Sequence, residues 1–236
     1  MNSNSPCWIC GAAADSREHI IKQSDIRRIF GRGPYPKGSR LVRIDDGNDK
    51  KKIIQSEDST HIKYQPCLCY NCNSTRSQPW DLAYDRFMDF IQVQSYSVQR
   101  TRKIDLGQVA PGGGAQLASN LYAYFVKSFG CKMAEHGQGP PIELREFLLG
   151  ERNRTELVLS FAVYVNVPKD MPAVVQIHDL RGDVDDDTGR PLNYTWAVSV
   201  EWLTFIFWYH QQVTIGLGRA WNGTSNRIKI GTYRDA

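Results

Sequence analysis

Four of the six cysteines stand in two C-x2-C pairs, Cys7/Cys10 in "CWIC" and Cys69/Cys72 in "CYNC". No other feature constrains the fold as tightly, because two such turns offer four thiolates to one tetrahedral zinc ion. The 58 residues between the pairs exceed the spacing of a simple zinc ribbon. The surplus coincides with a polar stretch at 31–60, with "GRGPYPKGSR" and "DDGNDKKK", which reads as an insertion holding one short strand. Free buried thiols are the alternative reading. A redox "CWIC" would need a strand before it and a helix starting at its first cysteine, and "MNSNSP" supplies no strand. Cys67 could replace Cys69 as a ligand at C-x4-C spacing, and Cys131 reads as a small buried residue.

Hydrophobic residues make up 41% of the 236 and charged residues 23%, which excludes a disordered chain and leaves room for a sizeable core. The excess of positive charge lies in the first third. Residues 1–80 hold 13 Lys and Arg against 8 Asp and Glu, out of 29 and 25 in the whole chain. That mild imbalance suits a polyanionic partner. No basic segment followed by an apolar one opens the chain, and the most apolar run, Tyr194 to Tyr209, is too short for a bilayer and contains Glu201. The expectation is a cytoplasmic protein, where cysteine pairs more often hold metal than form disulfides.

The glycine-rich "GQVAPGGGAQ", residues 107–116, has the composition of a linker and divides the chain into 1–106 and 117–236. Before it, Pro79 opens a helix in which Trp80, Tyr84, Phe87, Met88 and Ile91 share a face. Gln78 precedes that proline, so a turn should separate residues 73–77 from the helix. After the linker, Leu117, Leu121, Tyr124, Phe125 and Phe129 form a helical stripe with Gly130 as its stop. A short helix fits between Pro141 and Gly150. "ELVLSFAVYVNV" and "TWAVSVEW" then alternate as strands, the second aligning Trp196, Val198, Val200 and Trp202. The expected class is α+β: an N-terminal zinc-stapled module and a C-terminal α+β domain with a mainly antiparallel sheet.

The first cysteine turn is followed by Glu18–His19–Ile20–Ile21 and the second directly by Asn73. In this order, C7-x2-C10, E18-H19-I20-I21 and C69-x2-C72-N73, the sequence resembles the HNH nuclease superfamily of ββα-metal folds. The resemblance covers roughly residues 7–92, including the trailing "STRSQPWDLAYDRF", and does not reach 107–236.

The resemblance implies that His19 is the general base activating water, a task that suits an imidazole titrating near neutral pH. It makes Asn73 an oxygen ligand of a divalent cation, Mg2+ or Mn2+, with Glu18 as companion ligand. Asn73 also reads as a helix cap. Neighbours on a strand point to opposite faces, so Glu18 and His19 serve one site only if the strand bends there. Asp81 is the reserve carboxylate, itself readable as favourable charge in a helix's first turn. The family's middle asparagine is matched by Gln65, a departure that puts catalysis in question. Arg17, Lys22, Arg27, Arg28 and Arg76 are candidate phosphate contacts, each also readable as a solvated cation. His61, His136, His178 and His210 have no partner by spacing. "DVDDDTG" lacks a calcium loop's glycine position and closing glutamate, and "PGGGA" lacks the lysine of a phosphate loop.

The implied activity is metal-dependent phosphodiester hydrolysis, DNA favoured, one strand per site, with double-strand cleavage requiring a homodimer or successive events. The alternatives are a zinc-stabilised nucleic-acid-binding module without catalysis, and a nuclease effector of defence or toxin type. In the latter, residues 117–236 would receive a regulatory protein or ligand.

Overall fold

The structure is a computed structural model that describes residues 5–36, 42–45, 48–137, 139–164, 175–189, 191–210 and 220–233. Its elements run α1 (Gln23–Phe30), β1 (Val42–Asp45), β2 (Asn48–Ile53), a 3-10 turn (Thr60–Ile62), α2 (Tyr70–Asn73), α3 (Gln78–Val93), α4 (Ser95–Thr101), β3 (Lys103–Asp105), α5 (Leu106–Val109), α6 (Gly114–Glu135) and α7 (Ile142–Leu149). The strands β4 (Leu157–Tyr164), β5 (Val175–Ile177), β6 (Arg181–Val184), β7 (Pro191–Val200), β8 (Leu203–His210) and β9 (Arg227–Tyr233) complete it. The α+β class is as expected: every strand pair is antiparallel except β4 with β9. The large sheet runs β3-β9-β4-β8-β7-β5, with β6 also on β7. No helix among the described residues is long and apolar enough to cross a membrane.

The helix after the second cysteine turn starts as expected, with Pro79 in its first turn and Tyr84, Phe87, Met88 and Ile91 buried. The region read as an insertion with one strand contains a hairpin of two, β1 and β2. The strand "TWAVSVEW" ends earlier than its alternation suggests. Val200 pairs with Leu203, and Glu201, at φ 53°, turns the chain so that Trp202 lies in the loop.

Residues 107–116 are folded rather than a free linker. The Asp105 carboxylate caps α5 by accepting the Gly107 N–H at 2.8 Å, and Leu106, Val109 and Ala110 are buried. Gly112 takes a left-handed φ of 74°, and Gly114 serves close packing, since a Cβ there would lie 3.1 Å from the Gly107 nitrogen. The main apolar core extends from Cys7 to Ile230, a smaller cluster gathers Ile21, Ile26, Ile54 and Ile62, and β3, before the glycine-rich stretch, is the edge strand of the large sheet.

Helix α6 is the axis of this core. On one side Tyr124 stacks on Tyr84 of α3, with ring centroids 4.0 Å apart. On the other, Phe125 and Phe129 meet Phe205 and Phe207 of β8 at 5.2 and 5.9 Å. Aromatic pairs of this kind add to the stabilisation from area burial. Gly130 does not stop the helix, which continues to Glu135. Its missing side chain makes room for Trp8, since a Cβ there would fall 2.4 Å from the indole ring.

Candidate zinc centre and the strand beside it

The two cysteine turns come together. One thiol sulfur from each of Cys7, Cys10, Cys69 and Cys72 lies within 4.8 Å of the others, with Cys10 and Cys69 sulfurs 3.5 Å apart. Zinc bonds to sulfur are near 2.3 Å, so a tetrahedral ion separates its sulfurs by somewhat under 4 Å, and the quartet fits one. Burial pushes the Cys7 thiol up. At Cys10 burial is outweighed by hydrogen bonding, from the backbone at Ala12 and from the other three thiols, which brings it down to about 7. These residues could hold a zinc ion. Among the described residues this is the only such group of three or more His, Cys, Asp or Glu.

Cys67 stands outside the quartet. Its side chain interacts with Cys131 of α6, whose sulfur also accepts the Trp8 indole N–H at 3.4 Å. The tryptophan of "CWIC" thus docks the metal turn onto α6.

The quartet pins a pair of extended segments. Ser16 and Ile20 donate their N–H groups to Leu68 and Ile62, and Tyr64 donates to the Glu18 carbonyl, so 16–20 runs antiparallel to 62–68. Helices α2 and α3 follow. Asn73, the last residue of α2, donates its side-chain N–H to Ser16 Oγ at 2.8 Å, tying the second turn back to the first strand. The helix-cap reading of Asn73 does not hold: it ends α2 rather than beginning a helix, and the cap of α2 is Cys69.

Glu18 and His19 point to opposite sides, as strand geometry requires. The Glu18 carboxylate faces inward to Lys127 of α6, at 3.2 Å. Lys127 is fully buried and also donates to Asp81 at 3.1 Å, while Lys22 reaches Asp81 and Asp85 at 3.3 and 3.4 Å. Against the cost of burial, Glu18 and Asp81 hold the Lys127 ammonium charged. Burial pulls the Glu18 carboxyl up and Lys127 opposes it. Asp81 is held below its usual range despite burial, by Lys127 and Lys22. The expected metal carboxylate and its reserve are therefore both engaged by one internal ammonium.

His19 faces the other way, with Nε2 3.8 Å from Asp58. Burial, with the Lys63 ammonium nearby, lowers it to about 4, so the imidazole is neutral at neutral pH. Neither Glu18 nor Asn73 bonds to it among the described residues. Among the described residues, four buried polar atoms in this region have no hydrogen-bond partner: His19 Nε2, Tyr64 Oη, Asn73 Oδ1 and Arg76 Nε.

The expected phosphate contacts divide. Lys22 is committed to Asp81 and Asp85, Arg27 to Glu57 at 2.9 Å, and Arg28 to Asp25, Asp85 and Asp89. Lys22 and Arg28 thus face the acidic side of α3, whereas Arg27, itself exposed, faces Glu57. Arg17 is exposed and Arg76 is half-buried, and neither has an ion pair among the described residues.

Lys127 is what the sequence reading missed. It sits on the apolar stripe of α6, three residues after Tyr124 and four before Cys131, and a lone ammonium there requires internal carboxylates. Compared with protein families, with curated proteins and with solved structures, the chain finds no match.

Proposed function

We propose that the zinc-stapled N-terminal segment is a phosphodiester hydrolase acting on nucleic acid, DNA favoured, with His19 as general base. The observation that carries this reading is that the cysteine quartet sits beside the segment bearing Glu18 and His19, to which Asn73 is tied through Ser16. Among the described residues, the protein makes no hydrogen bond to His19 Nε2, Asn73 Oδ1 or Arg76 Nε, so these polar atoms are uncommitted. A neutral imidazole with a free nitrogen lone pair can take a proton from water. Asn73 offers a hard oxygen to Mg2+ or Mn2+, whose other positions would fall to substrate oxygens and water. Such an ion would stabilise charge on the phosphate. Arg76 and Arg17 supply donors for phosphate oxygens. Glu18, neutralised by Lys127, serves this site by fixing the strand rather than as a ligand.

A second reading has its own support. With Glu18 and Asp81 both paired to Lys127, a carboxylate-poor site suits a zinc-stabilised nucleic-acid-binding module that does not cleave. The discriminating experiment is nicking of supercoiled plasmid by wild type and His19→Ala, each with Mg2+ or Mn2+ and with chelator. Metal-dependent nicking by wild type alone supports the hydrolase. Equal activity in both variants removes His19 from the chemistry, and retention of DNA without cleavage by either supports the binding module.

A further inference from the structure

Away from the zinc centre, β3 and β9 form an antiparallel pair with Lys103 opposite Lys229, Ile104 opposite Ile228 and Asp105 opposite Arg227. Directly opposed residues share a face and alternate ones reverse it. Lys103, Asp105, Arg227 and Lys229 therefore occupy one face, while Ile104 and Ile228 are buried. Like charges facing each other across a strand pair destabilise it. Lys103, Arg227 and Lys229 make no ion pair within 4 Å among the described residues, and the one carboxylate on this face, Asp105, stands opposite Arg227 and also lines the adjacent groove. Asp105 is committed to capping α5.

These three cations line a groove of about 550 Å³ between this strand pair and helices α3 and α4. Its other walls include Phe90, half-buried, and the amides of Gln94 and Gln108. The volume lies within the roughly 300–1,000 Å³ typical of small-molecule sites. Lysine and arginine together match phosphate groups, an aromatic face matches a planar ring, and amides match the donors and acceptors on its edge.

We infer that this groove binds a phosphorylated, ring-bearing small molecule of nucleotide size, its phosphates on Lys103, Arg227 and Lys229. The inference is independent of the hydrolase reading, because it concerns a different part of the fold and needs neither His19 nor a divalent ion.

The test is calorimetric titration of the full zinc-loaded chain with ADP, inorganic pyrophosphate and a single-stranded oligonucleotide, without divalent cation. ADP should bind more tightly than pyrophosphate. Lys103→Glu/Lys229→Glu, and the milder Lys103→Gln/Lys229→Gln, should weaken ADP binding, the double reversal by at least about tenfold. Arg154→Glu, an exposed control, should leave it unchanged. Circular dichroism and zinc content confirm that each variant is folded. Pyrophosphate binding as tightly as ADP would overturn the ring-bearing ligand. ADP binding untouched by both double substitutions would overturn the groove as its site. Oligonucleotide binding lost on charge reversal, with no ADP binding, would assign the groove to a nucleic-acid strand instead. No binding of any probe at millimolar concentration would overturn the proposal altogether.

Discussion

The indole of Trp8 packs on the α6 backbone at Gly130, so closely that a Cβ on the glycine would sit 2.4 Å from Cζ2 of the ring. Trp8 also donates to the sulfur of Cys131, the next residue. The first cysteine turn is thereby seated on the helix that organises the whole core.

Gly130→Ala should destabilise the protein. Alanine gains about 1 kcal/mol of helix propensity, but the added methyl displaces a ring backed by buried residues, at about 1–3 kcal/mol or more. Thermal or urea unfolding should show a net loss. A rise in midpoint would mean that Trp8 moves aside freely.

The thiol quartet should bind one zinc per chain, measured by metal analysis and by release to a chromogenic chelator. Cys69→Ser should lose the metal and melt the cysteine-bearing segment, since structural zinc contributes on the order of 10 kcal/mol. Cys67→Ser should keep it, because that thiol belongs with Cys131. The opposite pattern would assign the ligand position to Cys67.

Lys127→Met keeps most of the length of the side chain and removes its charge. Glu18 and Asp81 would then lose their common buried partner, and breaking such a cluster costs about 3–5 kcal/mol. Chemical denaturation should register this loss. If instead the variant is as stable as wild type, the two carboxylates tolerate one another or protonate at little cost.

Acid should weaken the fold partly through His19. Its folded-state value of about 4 lies below its ordinary 6.5, so the unfolded chain binds more protons in between. The contribution is present above 6.5 and lost as pH falls through about 4, a change of about 3 kcal/mol. Asp25 works in the opposite sense, because burial raises it to about 6. The difference between wild type and His19→Gln isolates the histidine. His19→Gln should flatten the decline between pH 6.5 and 4, and parallel stability curves would show that the imidazole is as well solvated folded as unfolded.

Much of this was legible in the chain. The C-x2-C spacing determined which thiols could meet, because short turns present paired sulfurs whatever surrounds them. The 2.0 and 3.6 periodicities determined β4, α3 and most of α6, because burial follows the side-chain direction each backbone imposes. What the chain alone did not determine were partnerships across long separations. Whether "APGGGA" is a hinge or a close helix contact depends on what packs there. Gly130 reads as a helix stop until Trp8, 122 residues earlier, is seen to need its space. Glu18 reads as an unpaired carboxylate until Lys127, from the middle of another helix, is found beside it at 3.2 Å. Local pattern carries backbone geometry, whereas the charge state and availability of a buried group are set by neighbours that only tertiary folding supplies.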